Sequence, residues 1–298
     1  MSVALFRLKP WFSERPWGRK DLLPWYSDTG TTALVGEAWL TGPQCLVETG
    51  ILKGRTLASV ASELGGEFPL LVKLLFPAEK LSVQVHPDDA QARTLGETRG
   101  KTECWYVLEA EPGATVALGL KDGADAAVVR AAVADGTMED LLEWVPVSAG
   151  DMLFVDAGTV HAIGPGVVLL ETQQTSDVTY RLYDYGRPRE LHLDKGLQVM
   201  KAKTAAGKVA PKKMDGFTRL IEQKYFVVDR FDVAAGDAVQ VAMDGAGCLV
   251  TLSGSGVVRR GGDEVELVPA EAVVVPTGGH VTMQTGSGVS FMRCVAPV

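Results

Sequence analysis

The chain has 298 residues, 46% hydrophobic and 22% charged, which suffices for two domains and for a core that needs no staples. Its 37 acids against 29 bases leave a net charge of −8, which excludes nucleic acid as the main partner but not a small phosphorylated substrate held by a few local cations. Four scattered cysteines (Cys45, Cys104, Cys248, Cys294) without a CxxC exclude a zinc ribbon and a disulfide framework.

The opening MSVALFRLKPWF has no apolar stretch long enough for a secretory leader, and no run of about 18 apolar residues suggests a membrane span. The expectation is a reduced, cytoplasmic protein with no membrane partner; the sequence leaves the oligomeric state open.

In chain order, Gly36–Leu40 reads as a strand among scattered aromatics. Residues Thr56–Leu64 have helical spacing and stop at Gly65-Gly66. Leu70–Phe76 and Leu81–His86 read as strands around the turn Pro77–Lys80. Pro87-Asp88-Asp89 opens a short helix, with Pro at its first position. Glu103–Leu108 and Thr115–Leu120 are strands, and Asp125–Trp144 is two short helices split at Asp135-Gly136. Strands return at Asp151–Val155, Val160–Ile163, Val167–Glu171 and Val178–Tyr183. Residues 201–216 read as a linker, being basic and poor in large apolar side chains, and from Phe217 onward the pattern is short strands with Gly turns.

One internal echo stands out. Ser148–Val155 followed by Asp156-Ala157-Gly158-Thr159-Val160-His161 resembles Val268–Val275 followed by Pro276-Thr277-Gly278-Gly279-His280. A strand, a Gly turn and a strand opening with His is a hairpin of a small double-sheet barrel. The fold expected is mainly β: two cupin-like jelly-roll barrels with a small helical segment in the N-terminal catalytic part. The expected domains are 1–200 with a helical insertion near 125–144, then the 201–216 linker, then 217–298 as a degenerate barrel without a metal site.

Three strands concentrate polar residues. Alternation puts Ser82, Gln84 and His86 on one face of Leu81–His86, and Lys101 and Glu103 on one face of the next strand. His161 opens a third. Two imidazoles, a carboxylate and an amide oxygen make a ligand set for zinc with an open position, or for manganese, iron or cobalt. His192 and His280 read as ordinary surface or packing residues. Downstream, Glu171 and Arg181 are the notable charges, Arg181 being suited to a phosphate or a developing oxyanion, or to a plain salt bridge with Glu171.

The segments LSVQVHPDD, GKTECWYVL, GTVHAIG and TYRLYDYGR, in this order, resemble the type I mannose-6-phosphate isomerase family in its short bacterial form. Pro16-Trp17-Gly18, Gly36–Trp39 and Arg189–His192 fit the same pattern, and the match spans roughly residues 10–200. The resemblance implies a cupin enzyme with one zinc per chain, ligated by Gln84, His86, Glu103 and His161. It also implies that Lys73, Ser82, Lys101, Glu171 and Arg181 surround a sugar phosphate. Tyr185 stands where the family has Trp, and Thr172 where Ile is usual.

The reaction so implied interconverts mannose 6-phosphate and fructose 6-phosphate by moving a proton between C2 and C1 through an enediolate. Glu171 and Lys101 are the candidates to carry that proton, and Arg181 to stabilise the enediolate. Ser82, Lys73, Lys101 and Arg187 are the candidates for the phosphate. Two other classes compete: a cupin oxygenase, against which Gln84-x-His86 stands in place of a His-x-His pair, and a non-catalytic sugar-binding cupin, against which the retention of Glu171 and Arg181 speaks.

Overall fold

The structure is a computed structural model that describes residues 4–297. Residues 1–3, which open the segment read as lacking a leader, and residue 298 lie outside the described residues. The chain is mainly β and divides into two compact units. One comprises the chain up to Glu14, Lys20–Leu74, and the chain from Ala210 onward; the other comprises Arg15–Arg19 and Leu75–Val209.

The first unit is built on an eight-stranded and a four-stranded antiparallel sheet. Alternating Val, Leu and Phe side chains of both sheets fill the space between them, including Val241, Leu249, Val258, Val273, Val281 and Phe291. Phe231 and Phe291 stack at 5.0 Å. The strand Phe6–Lys9 enters the larger sheet by pairing antiparallel with Ala272–Val275, with Phe6 opposite Val274. Arg7 on that strand lies 3.3 Å from Glu48 and 3.1 Å from Glu271. Asp229 is fully buried; Arg219 Nε donates to it at 2.8 Å, and Arg293 donates to its other oxygen.

The second unit holds the segments that carry the predicted ligands. Strands Gly207–Val209, Met152–Val155, Glu103–Ala110 and Val167–Gln174 lie side by side in that order. A five-stranded sheet runs Tyr180–Tyr183, Val83–Val85, His161–Ile163, Thr115–Leu120, Leu142–Pro146. Trp105, Val107, Val116, Leu153, Ile163 and Leu169 form the apolar core of this unit. A second cluster, with Val83, Val85, Leu142, Tyr180 and Leu182, backs the five-stranded sheet.

Several elements differ from the sequence reading. Thr56–Leu64 gives only the 3-10 turn Ala58–Val60, held by i→i+3 bonds such as Val60 N to Leu57 O. A segment so short cannot repay helix nucleation without tertiary packing on several turns. Asp88 caps the helix Asp89–Thr94 in a capping box with Gln91, so Pro87 precedes the cap instead of opening the helix. The first of the paired helices forms as Ala126–Asp135, ending at Gly136 with φ 83°. The second stops after the 3-10 turn Met138–Leu141, because Leu142–Pro146 pairs with Thr115–Leu120 and places Trp144 opposite Ala117. The 201–216 stretch contains two short edge strands, Gly207–Val209 and Lys212–Lys213, which need backbone groups rather than large side chains. Residues 20–74, expected with the catalytic domain, group instead with the C-terminal sheets, consistent with the pairing of Phe6–Lys9 and Leu46–Val47 into the eight-stranded sheet.

Candidate metal centre and active site

The register of the five-stranded sheet sets three polar side chains in a row. Gln84 lies directly opposite His161 on one neighbouring strand and opposite Arg181 on the other. Val83, Val85, Tyr180 and Leu182 alternate with them and are buried in the cluster behind the sheet. In the other sheet, Glu103 lies opposite Gln173 and Trp105 opposite Glu171.

His86, Glu103 and His161 converge, with one ligand atom from each within 4.8 Å of the others. His86 Nε2 is 3.6 Å from Glu103 Oε2, and His161 Nε2 is 3.4 Å from Glu103 Oε1. The second ring nitrogens are already engaged: His86 Nδ1 donates to Val178 O at 2.7 Å, and His161 Nδ1 to Thr159 O at 2.9 Å. That fixes both tautomers with an Nε2 lone pair turned to the carboxylate, the arrangement that metal-ligating histidines require. Burial pushes the His161 imidazole down to about 4, so it is neutral at pH 7.

Glu103 is fully buried, and its Oε1 accepts no hydrogen bond among the described residues. Lys101 Nζ pairs with Oε2 at 2.9 Å. Gln84 Nε2 lies 3.2 Å from His161 Nε2, and Ser82 Oγ donates to Gln84 Oε1 at 3.2 Å. Half a turn of this amide would face Oε1 to the imidazoles and let Nε2 donate to Ser82 Oγ, so Ser82 can support the amide in either orientation. Two imidazoles with Nε2 turned inward, a buried carboxylate and an amide oxygen fit a divalent ion.

Lys101 reaches this centre because its segment is clamped. Lys101 N donates to Pro87 O at 3.0 Å, and Gly100 N donates to Asp89 Oδ1 at 2.9 Å. A Cβ at Gly100 would stand 2.5 Å from the Asp88 carbonyl carbon, so only glycine permits this approach. Lys101 Nζ also donates to His86 Nε2 at 3.2 Å and lies 3.9 Å from Glu171 Oε1. Glu171 is buried and accepts from Trp105 Nε1 at 3.1 Å.

The salt bridge between Arg181 and Glu171 does not form: among the described residues Arg181 makes no ion pair. Its Nη1 donates to Glu190 O at 2.7 Å, and Nε is buried without a hydrogen-bond partner. Burial first, and then the neighbouring Arg189, lowers its pKa from the usual guanidinium range. Arg187 donates to Lys80 O at 2.6 Å and pairs with buried Asp184 at 3.1 Å, while Arg189 grips the same carboxylate with two nitrogens. Lys73 belongs to the first unit, where it is buried, 4.0 Å from Glu37 and 4.8 Å above the Trp39 ring. Of the other histidines, His192 accepts from Arg181 N at 3.3 Å, and His280 is exposed on the strand Gly279–Gln284.

A family model described as phosphomannose isomerase type I, catalytic domain, matches residues 51–119. A mannose-6-phosphate isomerase of Streptococcus mutans is 33% identical over 93% of each chain. This chain belongs to the mannose-6-phosphate isomerase family. A second mannose-6-phosphate isomerase, from Bacillus subtilis, is 36% identical over 80% of this chain and 83% of its own. The crystal structure of the mannose 6-phosphate isomerase from Bacillus subtilis superposes with a TM-score of 0.86 at 28% identity, covering 98% of this chain and 99% of that one.

Two members of the site in this mannose-6-phosphate isomerase family chain escaped the sequence reading. Trp105 was detectable, since strand alternation puts it on the Glu103 face. Asp184, three residues before Arg187 and five before Arg189, is the buried carboxylate they grip, and nothing in its spacing shows that burial.

Proposed function

We propose that the chain interconverts mannose 6-phosphate and fructose 6-phosphate with one zinc ion held by Gln84, His86, Glu103 and His161. The observation that carries this is the buried Glu103 carboxylate, paired with Lys101 at Oε2 and set between two imidazoles whose Nε2 atoms turn toward it. Bound there, a divalent ion supplies Lewis acidity for polarising the sugar carbonyl.

The chain's own groups do the rest. Glu171, with Oε2 held by Trp105, carries the proton between C1 and C2 on Oε1, the oxygen nearer Lys101. Lys101 holds the carboxylates in register and relays charge as the proton moves. Arg181 shares a sheet face with Gln84 and offers its guanidinium to the oxygen that gains charge in the enediolate. Ser82 and Arg187 are assigned to the phosphate. Their hydroxyl and guanidinium chemistry suits an anion, and among the described residues Arg187 Nη1 makes no hydrogen bond, only a 3.7 Å approach to Glu79.

The first unit packs an eight-stranded against a four-stranded sheet around one core, which suits a cupin-like jelly roll, here read as a barrel carrying no metal. The four cysteines are free and buried, which supports a reducing, cytoplasmic setting. No helix among the described residues is long and apolar enough to cross a membrane. The test is a coupled isomerase assay on the purified protein with metal analysis, before and after chelation. Zinc-dependent turnover of mannose 6-phosphate is expected. A metal-replete protein without turnover would make it a binding protein, and iron-dependent oxygen consumption would make it an oxygenase.

A further inference from the structure

We infer that Trp105 is a positioning residue for the isomerisation, acting by fixing the Glu171 carboxylate through its indole N–H. The inference rests on Glu171 as the proton carrier. Trp105 and Glu171 stand directly opposite each other on neighbouring antiparallel strands. Trp105 Nε1 donates to Glu171 Oε2 at 3.1 Å, and both residues are buried. The edge of the same indole meets the His161 ring at 5.5 Å and 66°. One rigid side chain therefore touches both the proposed proton carrier and a proposed metal ligand.

The chemistry of the contact is specific. An indole N–H donates and never accepts, so it holds Oε2 without competing for the proton that Glu171 must carry. It leaves Oε1 on the side of Lys101, 3.9 Å away. A hydrogen bond to a carboxylate in a dry site is stronger than one between neutral groups, and a two-torsion aromatic anchor costs little entropy. Packing alone would be served by Phe or Leu at this position, since the neighbours Val107 and Leu169 are purely apolar. A buried Trp N–H needs a partner, and here the partner is Glu171.

Two variants test this. Trp105→Phe removes the donor and part of the ring. Replacement of Trp105 by 3-benzothienylalanine, in which sulfur takes the place of N–H, removes the donor at unchanged shape and guards against misfolding. Each is measured alone and combined with Glu171→Gln, recording kcat, KM, metal content and Tm. The expected result is a fall in kcat of about tenfold to a hundredfold, with KM changed by less than about threefold and full metal content. In the Glu171→Gln background the same replacement is expected to lower kcat by less than about threefold further, because its route of action is gone. Parental kcat in the benzothienylalanine protein overturns the inference, and so does an equal loss in both backgrounds, which is the signature of packing alone. Parental kcat in Glu171→Gln overturns instead the proton-carrier reading on which it rests.

Discussion

Lys101 Nζ stands 2.9 Å from Glu103 Oε2, a buried ammonium against a buried carboxylate. The same nitrogen is 3.2 Å from His86 Nε2 and 3.9 Å from Glu171 Oε1. One lysine thus links the proposed ligand set to the proposed proton carrier. Two carboxylates share this one cation, and the neutral His161 adds no charge. A divalent ion held by His86, Glu103 and His161 would more than offset the one remaining negative charge, so metal content and activity are expected to move together.

His86→Ala removes an imidazole whose ring is already oriented by Val178 O. The protein is expected to lose its metal and its turnover while still melting cooperatively, because the apolar cores do not depend on His86. Elemental analysis of the parent should give about one metal per chain. His280→Ala should leave that figure unchanged, since the exposed His280 has no ligand partners like those around His86. Full metal content in His86→Ala would remove it from the ligand set.

Arg181→Ala is expected to keep its metal, to change KM modestly and to lower kcat by about 10²–10³, the scale for electrostatic donors at a developing oxyanion. Arg181→Lys should recover only part of this, because a point charge lacks the planar fork. Near-normal kcat with a lower Tm would reduce Arg181 to its contact with Glu190 O.

Glu271 offers a pH test within the first unit. Burial raises its pKa; Arg7 opposes the shift, and Glu48 and Glu266 add to it. A carboxyl that is harder to ionise when folded destabilises the fold once pH rises above its unfolded value, near 4.5, and through its raised folded value. Glu271→Gln should therefore raise Tm by about 1–3 °C at pH 7, and the gain should vanish below pH 4. Melting curves across that range decide it; a loss of stability at pH 7 would mean that the ion pair with Arg7 outweighs the burial.

Asp229 anchors Arg219 and Arg293 in the first unit. Asp229→Ala leaves the buried Arg293 without its carboxylate and should cost about 3–5 kcal/mol. Urea denaturation measures this as a lowered midpoint at unchanged slope. A loss under about 1 kcal/mol would show that Ala242 O alone suffices for Arg293.

Much of the site was legible because strands report their faces. The two-residue spacing of Ser82, Gln84 and His86 predicted a shared face, and Lys101 and Glu103 meet as the alternation requires. Placing His161 beside Gln84 needed the register, which no local pattern encodes. The failures differ in cause. Leu142–Trp144 has apolar spacing compatible with a helix, yet a partner strand distant in sequence decides its state. Asp184 differs: its partners Arg187 and Arg189 lie three and five residues on, and what the sequence does not show is the burial of its carboxylate.

The pairing of Phe6–Lys9 with Ala272–Val275 has a consequence for synthesis. The ribosome releases this edge early, and its partner emerges more than two hundred residues later. At about 5–20 residues per second the wait is tens of seconds. Leu75–Val209, a nearly continuous stretch of chain, can condense around its own cores in that interval. The middle of the chain is thus free to fold before the first unit can close, and the strand Phe6–Lys9 waits unpaired with Ala272–Val275 for that interval.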